Sequence, residues 1–240
     1  MAELTNNKKY KYHVKNLHTI EIALSDTALS TRNAIRKQNE KAITSFTRLF
    51  SFLLGAWIET RLKKLLYEKD AFLNSQIEEI LNENTQFDQW LKLIEVAFKK
   101  HYQVRNISKH SMELKSFSYY QEINNIFNEY IKNIIEIRNK LAHGQWVYTF
   151  NNNNTNIEQE KYRYLMNENI QQLQLKQQLV NELSLLIHDL VVSVDTFERD
   201  FENHYKRLKQ VKINLVKKSY TKYKENLINK YQRGLLKRNQ

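Results

Sequence analysis

Residues 138–146 read Arg-Asn-Lys-Leu-Ala-His-Gly-Gln-Trp. Three of these side chains can do chemistry on a phosphodiester. A permanently charged guanidinium, Arg138, can clamp a phosphate through paired N–H donors and offset the charge that builds on its oxygens. Imidazole exchanges its proton near neutral pH. His143 can therefore take a hydroxyl proton when neutral or protonate a leaving oxygen when cationic. The amide of Asn139 can orient the imidazole or a phosphate oxygen. On a helix Asn139 and His143 stand one turn apart on the same face.

Spacing alone does not single this segment out. With eleven Arg and seven His in the chain, an Arg followed five residues later by a His occurs three times: Arg105 to His110, Arg138 to His143 and Arg199 to His204. Asn follows the Arg in the first two only, and Asp200 follows Arg199. Context separates the rest. Arg105 and Asn106 fall in a polar connection, whereas Arg138 and Asn139 fall in the last turns of a strongly apolar helix that ends Leu-Ala-His-Gly.

With an Arg, a polar residue straight after it and a His at this spacing, the segment resembles the motif of the HEPN ribonucleases. The resemblance covers the motif, and the helical body only by class. It implies a helical bundle on a long hairpin, two copies paired so that their motifs face one cleft, and metal-independent RNA cleavage with Arg138, Asn139 and His143 as the catalytic set. The products would carry 2′,3′-cyclic phosphate and 5′-hydroxyl ends. It also implies a toxin or phage-defence setting, with an antitoxin or regulatory protein as a further partner. In one toxin class of the family a tyrosine that is modified stands two residues after the His. Here that position is Gln145, so that mode of control is not implied. The alternative is a non-catalytic HEPN-like module that binds RNA or a protein.

The elements around the motif follow from apolar spacing. A helix over 118–142 carries Ile123, Ile126, Phe127, Tyr130, Ile134, Ile137 and Leu141 on one stripe, and Gly144 is placed to close it. Arg138 lies at the stripe's edge beside Ile131, Ile135 and Ala142. The apolar arc is then about half the circumference, wider than one core face needs, and the extra strip suits a helix–helix dimer contact. Two plainer readings stand beside this: Arg138 pairs with a buried acid and the strip is core, or His143 only caps its helix. The spacing predicts a long helix over 31–68, shorter ones around Ile77 to Leu81 and Trp90 to Phe98, and an unbroken one from about 169 to 208 or beyond. Residues 1–30 carry no clear pattern. Trp146, Tyr148 and Phe150, with Tyr162 and Tyr164 beyond four asparagines, are expected to form a small β-hairpin near 146–165 or a loop.

Composition supports an all-α chain. There is no Pro and there are three Gly in 240 residues, where average usage gives roughly 12 and about 17. The fold class expected is an all-α helical bundle built on a long antiparallel hairpin. With no Cys, disulfides, thiolate zinc sites and Cys nucleophiles are excluded. The seven His show no paired ligand spacing and no Gly-rich phosphate loop exists, so neither a metal nor a cofactor is expected. Residues 1–12 are polar, and the longest apolar cluster, 49–58, is too short to span a bilayer. The expected location is the cytoplasm, away from membranes.

Charge divides the chain. Residues 206–240 hold twelve Lys or Arg and one acid, Glu225; they carry +11 of the net +12, leaving +1 for the other 205 residues. The expected domains are therefore 1–205, a helical body, and 206–240, a basic helical extension. Cations can track the phosphates of single-stranded RNA while rings stack on its bases; an amphipathic helix that docks on the body and a helix on a membrane surface are the readings beside it. The candidates for RNA contact are Lys206, Arg207, Lys209, Lys212, Lys217, Lys218, Tyr220 and Tyr223.

Overall fold

The computed structural model describes residues 4–238, and among these it is an all-α bundle. It opens with α1 (Asn6–Arg36) and α2 (Glu40–Leu66). The two lie antiparallel: Trp57 Nε1 donates to Glu21 Oε1 at 3.1 Å, while Tyr67 near the end of α2 stacks on His13 near the start of α1. A long hairpin is what the resemblance of the motif implied; composition implied helix only. The bounds of this hairpin correct the helix read over 31–68. The chain turns at 37–39, where Gln38 takes a left-handed φ of 52° and the Asn39 side chain accepts from Ala42 N–H as the cap of α2. The stripe Leu24, Ala28, Ile35 can be buried only if α1 folds back. The first half of α1 lacked a clear pattern because its outer face is exposed.

The central helix is α2. Phe50, Leu54, Ile58, Leu62 and Leu66 are buried, and α1, α4, α6 and α8 all pack against it. After α3 (Asn74–Leu81) and α4 (Gln86–Tyr102), a connection of turns leads to α5 (Leu114–Ile126). A π-helical turn, Phe127–Ile131, then runs straight into α6 (Lys132–Ala142). The helix expected at 118–142 is present and starts four residues earlier. It ends in a Schellman motif: Gln145 N–H donates to Lys140 O at 3.0 Å, Gly144 N–H to Leu141 O at 3.1 Å, and Gly144 supplies the φ of 77° that this closure needs.

The β-hairpin considered for 146–165 does not form. Only an isolated bridge joins Phe150 to Ile157, and Tyr162 and Tyr164 belong to α7 (Gln159–Asn167). The alternation runs the wrong way for a half-buried strand. The three rings are exposed, and Thr149 between them is fully buried.

The unbroken helix read from 169 is likewise two helices, α8 (Ile170–Val192) and α9 (Val194–Lys217). Ser193 ends the first and caps the second, its Oγ accepting from Thr196 N–H. Folding back buries Phe197, Phe201 and Leu208 beside Leu183, Leu186 and Leu190. Residue 206 falls inside α9, where Leu208 and Val211 still belong to the core. A further break at Lys218 and Ser219 starts α10 (Tyr220–Arg238), which packs on α1 and α8.

Candidate functional site

The last turn of α6 exposes Asn139 and His143 on one side, and both line an open cleft of about 1260 Å3. The facing wall is the 146–158 loop, with Trp146, Tyr148 and Phe150 and the amides of Asn151, Asn152 and Asn154. A loop without sheet or helix needs side chains to hold its backbone. Gln145 Oε1 accepts from Phe150 N–H at 2.7 Å, Trp146 Nε1 donates to Leu141 O at 3.1 Å, and Thr149 Oγ1 donates to Glu158 O at 3.1 Å. Tyr148 stacks on Tyr162 of α7, centroids 5.7 Å apart. From behind, Arg48 of α2 reaches through the core, its Nε donating to Trp146 O at 3.3 Å and its Nη1 to Leu165 O at 2.5 Å. Arg48 is 4% exposed, and burial lowers its pKa.

The lysines lining the cleft are already neutralised. Lys140 pairs with Glu158 at 2.8 Å and also donates to Phe150 O, and Lys161 pairs with Glu136 and donates to Asn133 Oδ1. His143, standing at the C-terminus of α6, is the remaining group there that can carry positive charge.

Arg138 does not line this cleft. Its Nη2 pairs with Glu59 Oε2 of α2 at 2.6 Å, its Nη1 donates to Asn139 Oδ1 at 3.1 Å, and its Nε is buried without a partner. Gly55 allows this. A Cβ there would fall 2.3 Å from Arg138 Cβ. The strip beside Arg138, read as a dimer contact, needs correction. Ile131 and Ile135 are buried within the single chain, and of the three only Ala142 is exposed. The wide apolar arc arises because α6 packs on both α2 and α4.

The other two Arg–His pairs are differently placed. Arg105 and His110 are exposed in the connection between α4 and α5. Arg199 forks onto its neighbour Asp200, and His204 is buried between Glu182 and Asp189 of α8 at 3.2 and 3.4 Å.

The expected RNA-binding set is spread over α9 and α10. Lys206, Lys209, Lys217 and Lys218 are exposed. Arg207 is held by Glu182 at 3.3 Å, and Lys212 by Glu129 at 3.0 Å. Tyr220 and Tyr223 stack on one another and are half-buried. Residues 239–240 of the basic segment lie outside the described residues. Among the described residues no group of three or more His, Asp or Glu is placed to hold a metal ion, and no helix is long and apolar enough to cross a membrane.

Sequence reasoning brought Asn139, His143 and the aromatic loop to notice but missed Arg48, Glu59 and Lys161. For Arg48 the signal was there: a lone arginine inside the apolar run from Phe46 to Leu54. Glu59 and Lys161 had none, since their partners are distant in sequence. No protein-family model, curated protein or solved structure matches the chain.

Proposed function

We propose that the chain is an endoribonuclease acting in the cleft between α6 and the 146–158 loop. The observation that carries the reading is His143: an exposed imidazole at the edge of an open cleft walled by exposed aromatic rings and amides. Bases of an unpaired strand can stack on Phe150 and meet the amides of Asn151, Asn152 and Asn154. The substrate's own 2′-hydroxyl is the nucleophile, already adjacent to its phosphorus. As it attacks, neutral His143 takes its proton; a cationic His143 protonates the departing 5′-oxygen. The resemblance to HEPN ribonucleases supplies the metal-independent route, the toxin or phage-defence setting, and a homodimer whose two motifs share one site. Trp146, Val147 and Tyr148, exposed beside His143, are the surface on which a second copy would sit. An antitoxin or other regulatory protein would restrain the enzyme from outside.

One observation favours the non-catalytic alternative. Arg138 is matched by Glu59, and both cleft lysines are matched by acids, so a single chain offers a phosphate little unpaired charge. The deciding experiment incubates the purified chain with single-stranded RNA in EDTA. Cleavage with 2′,3′-cyclic phosphate ends, lost in His143→Ala, with DNA spared, is the expected result. Binding without cleavage would leave an RNA-binding module.

A further inference from the structure

A second groove, of about 490 Å3, shares no lining residue with the His143 cleft. One wall is the second half of α9, where the lining runs from Tyr205 to Lys217 along one face. That is about 18 Å of helix at 1.5 Å per residue. The other wall is Glu122 and Ile126 of α5, then Glu129 and Tyr130 of the π-helical turn. The groove is aliphatic inside. Ile126 and Leu208 form a buried floor, Ile213 stands on the lip, and Val216 is 85% exposed.

Charge on the rim is unbalanced. Lys212 reaches across the groove to Glu129 at 3.0 Å and lies 5.5 Å from the Tyr130 ring centroid. Glu122 faces the Tyr205 phenol, which burial and then that carboxylate raise above its ordinary range. Both acids of the groove are thus engaged from within it. Lys209 and Lys217 are exposed, and neither pairs with an acid among the described residues. They stand about two turns apart along α9. An occupant must therefore cover aliphatic side chains and bring negative charge to two places on one edge.

We propose that this groove docks an amphipathic helix of a partner protein, one that carries acidic residues beside its apolar stripe. Leu or Ile anchors at i, i+4 and i+7 span about 10 Å, within the length of the groove, and cover Ile213 and Val216. Glu or Asp two turns apart on the flank meet Lys209 and Lys217. Single-stranded RNA is the poorer fit. The interior is aliphatic, and each ring already has a face engaged, Tyr130 by Lys212 and Tyr205 by Phe201. A bilayer is flat, whereas this apolar surface is recessed between two helical walls. A second copy would bring a segment of charge +11 to a basic rim. The proposal does not rest on the nuclease reading, since it concerns a different surface.

The test is fluorescence anisotropy of two labelled helical peptides on the full chain. Both carry the Leu anchors; one has Glu on its flanks and the other has Lys at the same positions. The Glu peptide should bind wild type about tenfold or more tightly than the Lys peptide, the scale on which like charges across an interface are rejected. Ile213→Gln with Val216→Gln changes only exposed side chains and keeps helix propensity. It should weaken the Glu peptide about tenfold or more, as loss of a central apolar contact does. Lys209→Glu with Lys217→Glu should reverse the preference, so that the Lys peptide binds the better. Urea midpoints of both variants should match wild type. Wild type that binds neither peptide, or both alike, would overturn the proposal. So would groove variants whose peptide affinities are unchanged. A lysine variant that loses phosphatidylserine vesicles or an oligouridylate while its peptide preference stays would overturn it as well, assigning the rim to lipid or to RNA. RNA cleavage measured alongside bears on the His143 cleft alone.

Discussion

Nη2 of Arg138 lies 2.6 Å from Oε2 of Glu59, across the seam between α6 and α2. Lys63 holds the other carboxylate oxygen at 2.7 Å, so one acid serves a helix neighbour and the arginine of the motif. Arg138 in turn donates to Asn139 Oδ1. An amide whose oxygen is engaged presents its NH2 group to a ligand as a donor. Arg138 therefore positions Asn139 in the free chain, and in the proposed RNA complex Glu59 would set how much of its charge a phosphate meets. Glu59→Gln should strengthen RNA binding severalfold and lower stability by about 1 kcal/mol, the scale of a partly exposed pair. Arg138→Ala should weaken binding. Anisotropy in a His143→Ala background checks both; weakening by both substitutions would make the pair purely structural.

Gly55 permits that seam. A Cβ at this position would meet Arg138 Cβ at 2.3 Å and Cγ at 2.5 Å. The first of those atoms is fixed to the α6 backbone, so the helices must separate. Gly55→Ala should destabilise the fold by about 1–3 kcal/mol through overpacking, more than the roughly 1 kcal/mol that Ala gains over Gly in helix propensity. Gly234 on α10 has open space around it, and Gly234→Ala should be stabilising by about 0.5–1 kcal/mol. Urea midpoints of opposite sign would confirm the contrast.

The helical class, the α5 to α6 helix and its Gly144 closure were legible because each is a local pattern of spacing and cap. The breaks at Gln38 and Ser193 were not. There, apolar stripes continue in phase on both sides, and only the gain from burying one helix on the next decides that the chain reverses. Asn39 and Ser193 were caps in plain view, but such residues also occur within helices. At the site, His143 and Asn139 could be placed on one face from numbering alone. The partner of Arg138 could not, since Glu59 is 79 residues away and meets it only after α2 and α6 pack.

Arg48 fastens the cleft wall to the core. Its guanidinium serves Trp146 O and Leu165 O with little exposure to water. Arg48→Met would leave Trp146 O without its donor and Leu165 O with the Glu168 N–H alone, at 3.3 Å, and would cost about 1–3 kcal/mol for a buried group left unsatisfied. Lys cannot reproduce the two-point reach of the planar guanidinium. Arg48→Met and Arg48→Lys should both lose stability and speed amide hydrogen exchange across 145–158. Unchanged exchange there would show that the loop is held by its own hydrogen bonds.

Alkaline pH should loosen the fold. Burial, reinforced by Glu129, raises the Tyr130 phenol from 10.0 to about 12, and burial, with Glu40 and then Tyr223, does the same for Tyr220. Both hold protons more tightly when folded than when unfolded. Their contribution is complete below pH 10 and is lost as pH rises toward 12. Urea midpoints should fall across that window, and Tyr130→Phe should make the fall shallower. A midpoint indifferent to pH between 10 and 12 would contradict it.

A single chain brings one imidazole to its cleft, and transesterification uses both a base and an acid. Either His143 serves in turn as both, or a second copy supplies the other. The dimer strip first read beside Arg138 is core, so a second copy would have to sit elsewhere. Trp146, Val147 and Tyr148 are 39%, 54% and 51% exposed and adjoin His143. A two-fold contact there would bury them and bring two His143 side chains to a common groove. The expected outcome is a sedimentation mass near twice 29.0 kDa and a specific activity that rises with protein concentration. Val147→Asp alters a side chain that is 54% exposed, so the fold should change by no more than about 0.5 kcal/mol. The dimer should dissociate and cleavage should fall by about a hundredfold, as loss of an acid or base does. A monomer that cleaves RNA with constant specific activity would exclude the shared site. It would turn attention to Glu136 and Glu158, the carboxylates that line the cleft with His143.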